Sequence, residues 1–180
     1  MKKLIKTILL IACFFCLVSC FSKSTSVMVL FDFESDAELD QFHWKCHTLF
    51  NLSDKNVTHG TKSLRLELYP SDYPGLAPML NVNDWRRYKA FLFDIYNPED
   101  EEIPLIVRID DEKDLPTYGN RYNKSFILSP GLNHLKIPLN SLITSGTHRN
   151  LNLKNIYRFI FFMSNPQKKF VLFVDYIRLI

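Results

Sequence analysis

Cysteine is scarce in this chain of 180 residues, with four in all. Cys13, Cys16 and Cys20 lie near the start, so Cys46 is the only cysteine in the rest of the chain. That part cannot form an internal disulfide, and a fold there depends on its hydrophobic core. The apolar share of 47% and the 15 phenylalanines are sufficient for such a core.

The chain also lacks the short motifs of common catalytic sites. It has no Gly-x-Ser-x-Gly nucleophile elbow, no His-Glu-x-x-His zinc motif and no glycine-rich phosphate loop. The acidic clusters at 99–102 and 110–114 are typical of solvated loops, although two carboxylates that meet in space could still form a hydrolytic pair. We therefore predict that the protein is not an enzyme.

The apolar run at the start of the chain is short, covering residues 8–18, about half of the roughly 20 residues that a membrane-spanning helix needs. It follows Lys2, Lys3 and Lys6, which is the arrangement of an export signal. The run ends in Leu-Val-Ser before Cys20, which resembles a bacterial lipobox. The resemblance implies a lipoprotein signal peptide over residues 1–19 and an acylated Cys20 that anchors the protein to a membrane of the cell envelope. An uncleaved membrane anchor is the alternative.

Excess charge is absent once this signal is set aside. The whole chain has 22 Lys+Arg and 19 Asp+Glu, but three of the lysines and none of the acids lie in residues 1–19. The remainder is formally neutral, so its charge does not indicate a nucleic-acid partner. Phe21, rather than an aspartate, follows Cys20, which favours the outer membrane in bacteria that sort lipoproteins by this residue.

Most of the remaining sequence predicts β-strands, whereas helical patterns are rare. Residues 63–69 alternate strictly between polar and apolar, the period of a half-buried strand. Helical turns are expected only at 36–42, with Asp36 as N-cap, and at 139–144. We predict an all-β chain in which a tether (20–26) precedes one jelly-roll β-sandwich of two antiparallel sheets (27–180). The predicted strands are 27–33, 63–69, 88–97, 103–110, 125–128, 135–139, 157–163 and 170–179, with 44–52 as a weaker candidate.

Five segments follow one another in a distinctive order. They are Phe-Asp-Phe-Glu at 31–34, His-Gly-Thr-Lys-Ser-Leu at 59–64, Asp-Trp-Arg-Arg-Tyr at 84–88 leading into 91–97, Leu-Ser-Pro-Gly-Leu-Asn at 128–133, and Phe-Val-Asp-Tyr-Ile-Arg-Leu at 173–179. In this order they resemble the galactose-binding-like β-sandwich found in many carbohydrate-binding modules. Tyr176 departs from the asparagine that is frequent after the closing aspartate, and this weakens transfer of a ligand or metal role there. The resemblance implies the same fold, and sugar binding on a sheet face or in loops at one edge.

Strand parity nominates the residues of such a face. Phe91, Phe93 and Ile95 share the core side of one predicted strand, and Leu105, Val107 and Ile109 share the core side of the next. Asp94 then lies on one outward surface with three candidate ligand-binding residues, Tyr96, Arg108 and Asp110. The loop after the second strand could extend this surface with three more candidates, Tyr118, Arg121 and Tyr122. A solvated sheet face with an ordinary Arg–Asp pair is the alternative. Trp44 and Trp85 are expected to pack in the core.

The resemblance also suggests a structural Ca²⁺ where the first and last strands meet. Asp32, Glu34 and Asp175 are the matching carboxylates, and the loop at 59–62 could add carbonyl oxygens. The alternative is that these acids face solvent at a sheet edge. The cluster of His43, Cys46 and His47 fits no zinc pattern, and Cys46 is expected to be buried.

Together these observations predict an envelope-anchored lipoprotein that binds a polysaccharide or other glycan without catalysis. The alternative function is a protein-interaction or assembly role for the same fold, with an envelope protein as partner. Neither function involves nucleic acid.

Overall fold

The computed structural model describes residues 26–114 and 116–180. The predicted signal peptide and Cys20 lie outside these residues, as does all but the last residue of the tether. The strands are β1 (Met28–Phe31), β2 (Trp44–Cys46), β3 (Thr48–Ser53), β4 (Ser63–Leu68), β5 (Gly75–Ala77), β6 (Ala90–Asn97), β7 (Ile103–Asp110), β8 (Tyr122–Leu128), β9 (Gly131–Pro138), β10 (Arg158–Phe162) and β11 (Phe170–Leu179). One short helix, α1 (Asp36–Leu39), and two 3-10 turns (Tyr118–Asn120 and Leu139–Ser141) complete the described elements.

The strands form two antiparallel sheets, as predicted. One has six strands in the order β3-β4-β11-β6-β9, with β1 also paired to β11, and the other has five in the order β2-β5-β10-β7-β8. The all-β jelly-roll prediction is therefore confirmed. Within the described residues, no helix is both long and apolar enough to cross a membrane.

The core lies between the inner faces of the two sheets. In β4, Leu64, Leu66 and Leu68 point inward and are buried, while Arg65 and Glu67 alternate outward. The same period buries the inward residues that were predicted in β6 and β7. Across the core, the ring centroids of Phe93 and Phe161 are 4.8 Å apart. Such aromatic pairs contribute about 0.5–1.5 kcal/mol beyond the burial of their area.

Trp85 confirms its predicted packing role, because it is fully buried and its ring stacks in a tilted contact on Phe91 at 5.2 Å. Its indole Nε1 donates a hydrogen bond to the Val82 carbonyl at 3.0 Å. This bond satisfies the one polar atom that burial of the ring removes from water.

The sequence did not predict how strands are shared between sheets. The candidate at 44–52 is two strands that belong to different sheets, separated at His47, whose φ of 41° turns the chain. β5 was missed because it has three residues and begins with a glycine, which usually indicates a turn. The helix at 36 has Ser35 rather than Asp36 at its N-cap position.

Candidate functional site

A cleft of about 570 Å³ opens on the outer face of the five-stranded sheet. This volume is in the range of pockets that hold small ligands. Ten side chains from four strands and three loops line the cleft: Trp44, Tyr73, Ile106, Arg108, Tyr118, Arg121, Asn123, Ile160, Phe162 and Ser164.

Strand alternation sets the floor of the cleft. Arg108 in β7 pairs with Ile160 in β10 on one side and with Asn123 in β8 on the other, so these residues share the outer face. Phe162 is paired with Gly75 of β5. A Cβ atom on Gly75 would lie 2.3 Å from the Phe161 carbonyl oxygen, so the close approach of β5 to β10 requires glycine.

Exposed aromatic rings are concentrated at this cleft. Trp44, Tyr73 and Tyr118 are 43%, 59% and 68% exposed, and they are the only Phe, Trp or Tyr side chains of the described residues that are largely exposed. All three line the cleft. The prediction that Trp44 packs in the core is wrong, because β2 is an edge strand whose outer face carries this ring.

A buried ion-pair network supports the polar part of the floor. Asp110 is fully buried, and its two carboxylate oxygens accept hydrogen bonds from Arg108 Nε at 2.8 Å and Nη2 at 2.5 Å. Arg158 lies opposite Asp110 on β10, with its Nε 3.0 Å from Asp110 Oδ2. Such bidentate, charge-assisted contacts fix the orientation of the Arg108 guanidinium.

The loop that carries Tyr118 and Arg121 is held against a second loop. Gly146 N and Thr147 N donate to the Gly119 carbonyl at 3.1 and 2.9 Å, and Ser145 N donates to the Arg121 carbonyl at 2.8 Å. These backbone bonds place the exposed Tyr118 ring at the cleft wall. Arg121 Nε donates to the Pro116 carbonyl at 2.6 Å, which orients its guanidinium.

A second, shallower pocket of about 260 Å³ adjoins the first at Trp44, which lines both. Its lining includes Tyr157 and Arg158, and the Arg158 guanidinium lies 4.8 Å from the Tyr157 ring centroid. The two pockets share Trp44 and are together called the groove. Asp110 lies beneath the region where Arg108 and Arg158 meet.

The structure brings together only part of the predicted site. Arg108, Tyr118 and Arg121 line the cleft, and Asp110 lies beneath it. Tyr96 is on the outer face of the six-stranded sheet, where its ring contacts Phe173 edge-on. Sequence reasoning placed Tyr96 with Arg108 because it treated β6 and β7 as neighbours, but a jelly-roll connection carries the chain from one sheet to the other between them.

Tyr122 is likewise separated from the cleft. It is the first residue of β8, pairs with the core residue Ile109, and is 6% exposed. Burial raises the pKa of Tyr122 to about 12. Sequence reasoning also missed Tyr73, because it lies in a loop whose position depends on distant pairing. The only local signal was an aromatic ring beside Pro74 and Gly75.

The three predicted calcium ligands surround the loop at 58–62, but hydrogen-bond donors occupy two of them. Asp175 Oδ2 accepts from Thr58 N at 2.6 Å and His59 N at 2.9 Å, while burial raises the pKa of this carboxyl. Glu34 Oε1 accepts from Thr61 N at 2.7 Å and Lys62 N at 2.9 Å, and these bonds lower its pKa.

The third carboxylate, Asp32, has one oxygen 3.9 Å from His59 Nδ1. Residues 26–114 and 116–180 contain no group of three His, Cys, Asp or Glu side chains arranged to hold a metal ion. The N–H groups stabilise the charged form of both carboxylates without a cation, although burial outweighs them at Asp175. A structural Ca²⁺ at this loop stays a prediction. Cys46 is half-buried rather than buried.

Comparison with known proteins gives structural neighbours only. No protein-family model matches the chain, and no curated protein matches it. Among solved structures, the family 11 carbohydrate-binding module from Clostridium thermocellum, in complex with a β-1,3-1,4-mixed-linked tetrasaccharide, is similar with a TM-score of 0.66 and 18% identity, over 87% of this chain and 96% of that chain.

Two further neighbours extend this likeness. An exo-β-agarase matches with a TM-score of 0.69 and 19% identity over 84% of this chain, but over only 25% of the enzyme. A xylan-binding domain of family 22 matches with a TM-score of 0.56 and 11% identity, over 87% of this chain and 95% of that domain. At these identities the likeness shows the fold: this chain has the β-sandwich fold of the family 11 carbohydrate-binding modules.

Proposed function

We propose that this protein binds a glycan, without cleaving it, in the groove on the outer face of its five-stranded sheet. The observation that carries the proposal is that Trp44, Tyr73 and Tyr118, the largely exposed Trp and Tyr side chains of the described residues, all line one cleft. Large exposed rings cost solvation free energy unless a ligand covers them, and a cluster of them indicates a binding surface. The carbohydrate-binding modules with the same fold support this proposal.

The proposed mode of binding is stacking combined with oriented polar contacts. The C–H faces of a sugar ring pack on aromatic rings, and its hydroxyl groups pair with polar side chains. Trp44 and Tyr118 supply rings at the walls, while Arg108 and Asn123 supply donors on the floor. Because Asp110 fixes the Arg108 guanidinium in advance, binding does not have to immobilise that side chain.

The shape of the groove favours a segment of a chain over a single sugar. The cleft and the second pocket meet at Trp44, so a ligand that fills both must extend past this ring. We therefore expect oligosaccharides to bind more tightly than monosaccharides of the same type.

Binding without hydrolysis is supported by the composition of the groove. No aspartate or glutamate among the described residues lines either pocket. Asp110 lies beneath the groove, and Arg108 and Arg158 occupy its oxygens. Glycoside hydrolysis usually uses two carboxylates on either side of the scissile bond, and this groove does not provide them.

The sequence signal at residues 17–20 supports a lipid anchor on Cys20 as part of this proposal. Anchored copies of a weak binding domain hold a long polymer through many contacts at once, so each single site can be weak. We propose the cell envelope, and within it the outer membrane, as the location.

The test is the affinity of the full chain, purified in detergent, for a panel of soluble polysaccharides and their oligosaccharides. We expect Trp44→Ala and Tyr118→Ala each to reduce affinity about tenfold, the loss of roughly one stacking contact. Tyr96→Ala is the matched control, because it removes an aromatic ring from the outer face of the opposite sheet.

Two outcomes contradict the proposal. If the folded protein binds no glycan in the panel, the sugar-binding function is excluded and the protein-interaction alternative is favoured. If Tyr96→Ala reduces affinity as much as Trp44→Ala, the site is misplaced.

A further inference from the structure

The groove contains more positive than negative charge. Three arginines contribute to it: Arg108 and Arg121 line the cleft, and Arg158 lines the second pocket. One carboxylate, that of Asp110, faces them, at ion-pair distance from Arg108 and Arg158. The groove therefore has an excess of two positive charges.

The neighbouring acidic residues do not compensate this excess. Asp111, the first residue after β7, is bound by Arg149 Nη1 at 2.6 Å and Nη2 at 2.8 Å, and Glu112 is bound by the same guanidinium. Within residues 26–114 and 116–180, no carboxylate lies at ion-pair distance from Arg121. The guanidinium of Arg121 is instead held by the neutral Pro116 carbonyl.

Of the three arginines of the groove, Arg121 is the one whose positive charge is least balanced by a nearby carboxylate. It is half-buried, and burial lowers the pKa of its guanidinium. The positive charges of Arg108 and Arg158 lower this pKa further, and the negative charge of Asp110 opposes them. Cations that are partly removed from water and repel one another are stabilised when an anion enters between them. The place where such an anion would sit is the cleft itself, between the Tyr118 wall and the Arg108 floor.

We propose that the glycan bound in this groove is anionic, with carboxylate or sulfate groups that pair with Arg121 and Arg158. This inference rests on the proposed glycan-binding function and specifies its ligand class. Guanidinium groups bind planar carboxylates and sulfated groups through paired N–H donors. A neutral glycan would stack on the same rings but would leave the excess positive charge without a partner.

The test compares charged and neutral polymers with the same backbone. The full chain in detergent is titrated with polygalacturonate and its methyl ester, and with dextran sulfate and dextran. We expect the anionic member of at least one pair to bind about tenfold more tightly or better, with an advantage that decreases as salt is added. The first pair reports carboxylate recognition and the second reports sulfate recognition.

Three variants assign the preference to the groove. Arg121→Gln should remove most of the preference for the anionic polymer while residual stacking affinity persists, and Arg121→Lys should retain part of it because the charge remains. Arg65→Gln is the matched control, since it removes an arginine from the six-stranded sheet. A melting curve for each variant confirms that it is folded.

The outcomes separate the two proposals. Equal binding of the neutral and anionic members, or a preference that Arg121→Gln leaves intact or Arg65→Gln removes, overturns the anionic ligand but retains glycan binding. Failure to bind any polymer in this assay or in the wider panel overturns both.

Discussion

At the scale of single residues, Tyr122 shows how one step along an extended backbone, from Arg121 into β8, changes the role of a side chain. Arg121 lines the cleft, whereas Tyr122 beside it points into the core and packs near Ile109. Successive side chains of a strand point to opposite faces, so two adjacent candidates could not both belong to one outer surface.

Tyr122 should make the protein less stable at alkaline pH. Its folded pKa is about 12, above the usual value of about 10, because the phenol is buried. Between these values the unfolded chain releases a proton that the folded chain retains, so the free energy of unfolding decreases as pH rises. Tyr122→Phe removes this component, and its free energy of unfolding should decrease less steeply in urea titrations between about pH 9 and pH 11.

The range from about pH 7 to pH 9 serves as the control, because the phenol is protonated there in both the folded and the unfolded state. In that range the free energies of unfolding of the wild type and Tyr122→Phe should differ by a constant amount. Parallel curves up to about pH 11 would contradict the burial of this hydroxyl.

The local part of the site was predictable from the sequence and the non-local part was not. The alternation in 103–110 correctly placed Arg108 and Asp110 on the outer side of their strand, since that depends only on the period of the backbone. The assignment of Tyr96 to the same surface required knowledge of which strands pair. Pairing is set by contacts between residues far apart in sequence, such as Arg158 with Asp110, and no local pattern encodes them.

At the scale of elements, β5 explains why a short strand that begins with glycine matters to the cleft. It joins the edge strand β2, which carries Trp44, to β10, which carries Phe162. The Gly75 backbone approaches β10 so closely that a side chain would meet both Phe161 and Phe162. The aromatic wall at Trp44 therefore depends on the absence of a side chain at position 75.

Gly75→Ala should destabilise the fold by about 1–3 kcal/mol, the usual cost of forcing an extra carbon into a packed site. The added Cβ would lie 2.3 Å from the Phe161 carbonyl oxygen and 2.5 Å from Phe162 Cβ. Denaturant unfolding measures the loss, and glycan affinity should decrease with it. Gly119→Ala is the control, because its nearest contact would be an ordinary 3.6 Å. Equal stability of the two variants would contradict this account of β5.

The loop at 58–62 allows a direct test of the calcium prediction. Because N–H groups of Thr58 and His59 already occupy Asp175, we expect a chelator to leave the melting temperature unchanged. Asp175→Ala should lower it with or without chelator, since three backbone donors, the N–H groups of Thr58, His59 and Tyr176, lose their acceptor. A melting temperature that decreases in chelator and recovers with added Ca²⁺ would show instead that the ion is bound and that the hydrogen-bond account is wrong.

At the scale of the whole molecule, the proposed glycan-binding groove and the proposed lipid anchor belong to separate parts of the chain. The groove is formed by residues from His43 to Ser164, whereas the anchor signal precedes the described residues. The anchor should therefore determine where the protein is located without altering what the groove binds.

Cys20→Ser in the full chain should abolish incorporation of a labelled fatty acid in a bacterial host and release the protein from the membrane fraction, because the acylated sulfur is lost. Cys46→Ser is the matched control, since it removes the half-buried thiol of β2 and should leave both labelling and membrane association intact.

Glycan affinity of the released Cys20→Ser protein should equal that of the detergent-solubilised wild type for single sites. Its capture of a long polymer should be weaker than that of membrane-bound copies, because simultaneous attachment through many sites is lost. Continued labelling of the Cys20→Ser protein would contradict acylation at this cysteine, and equal capture of the polymer by free and membrane-bound protein would contradict a multivalent role for the anchor.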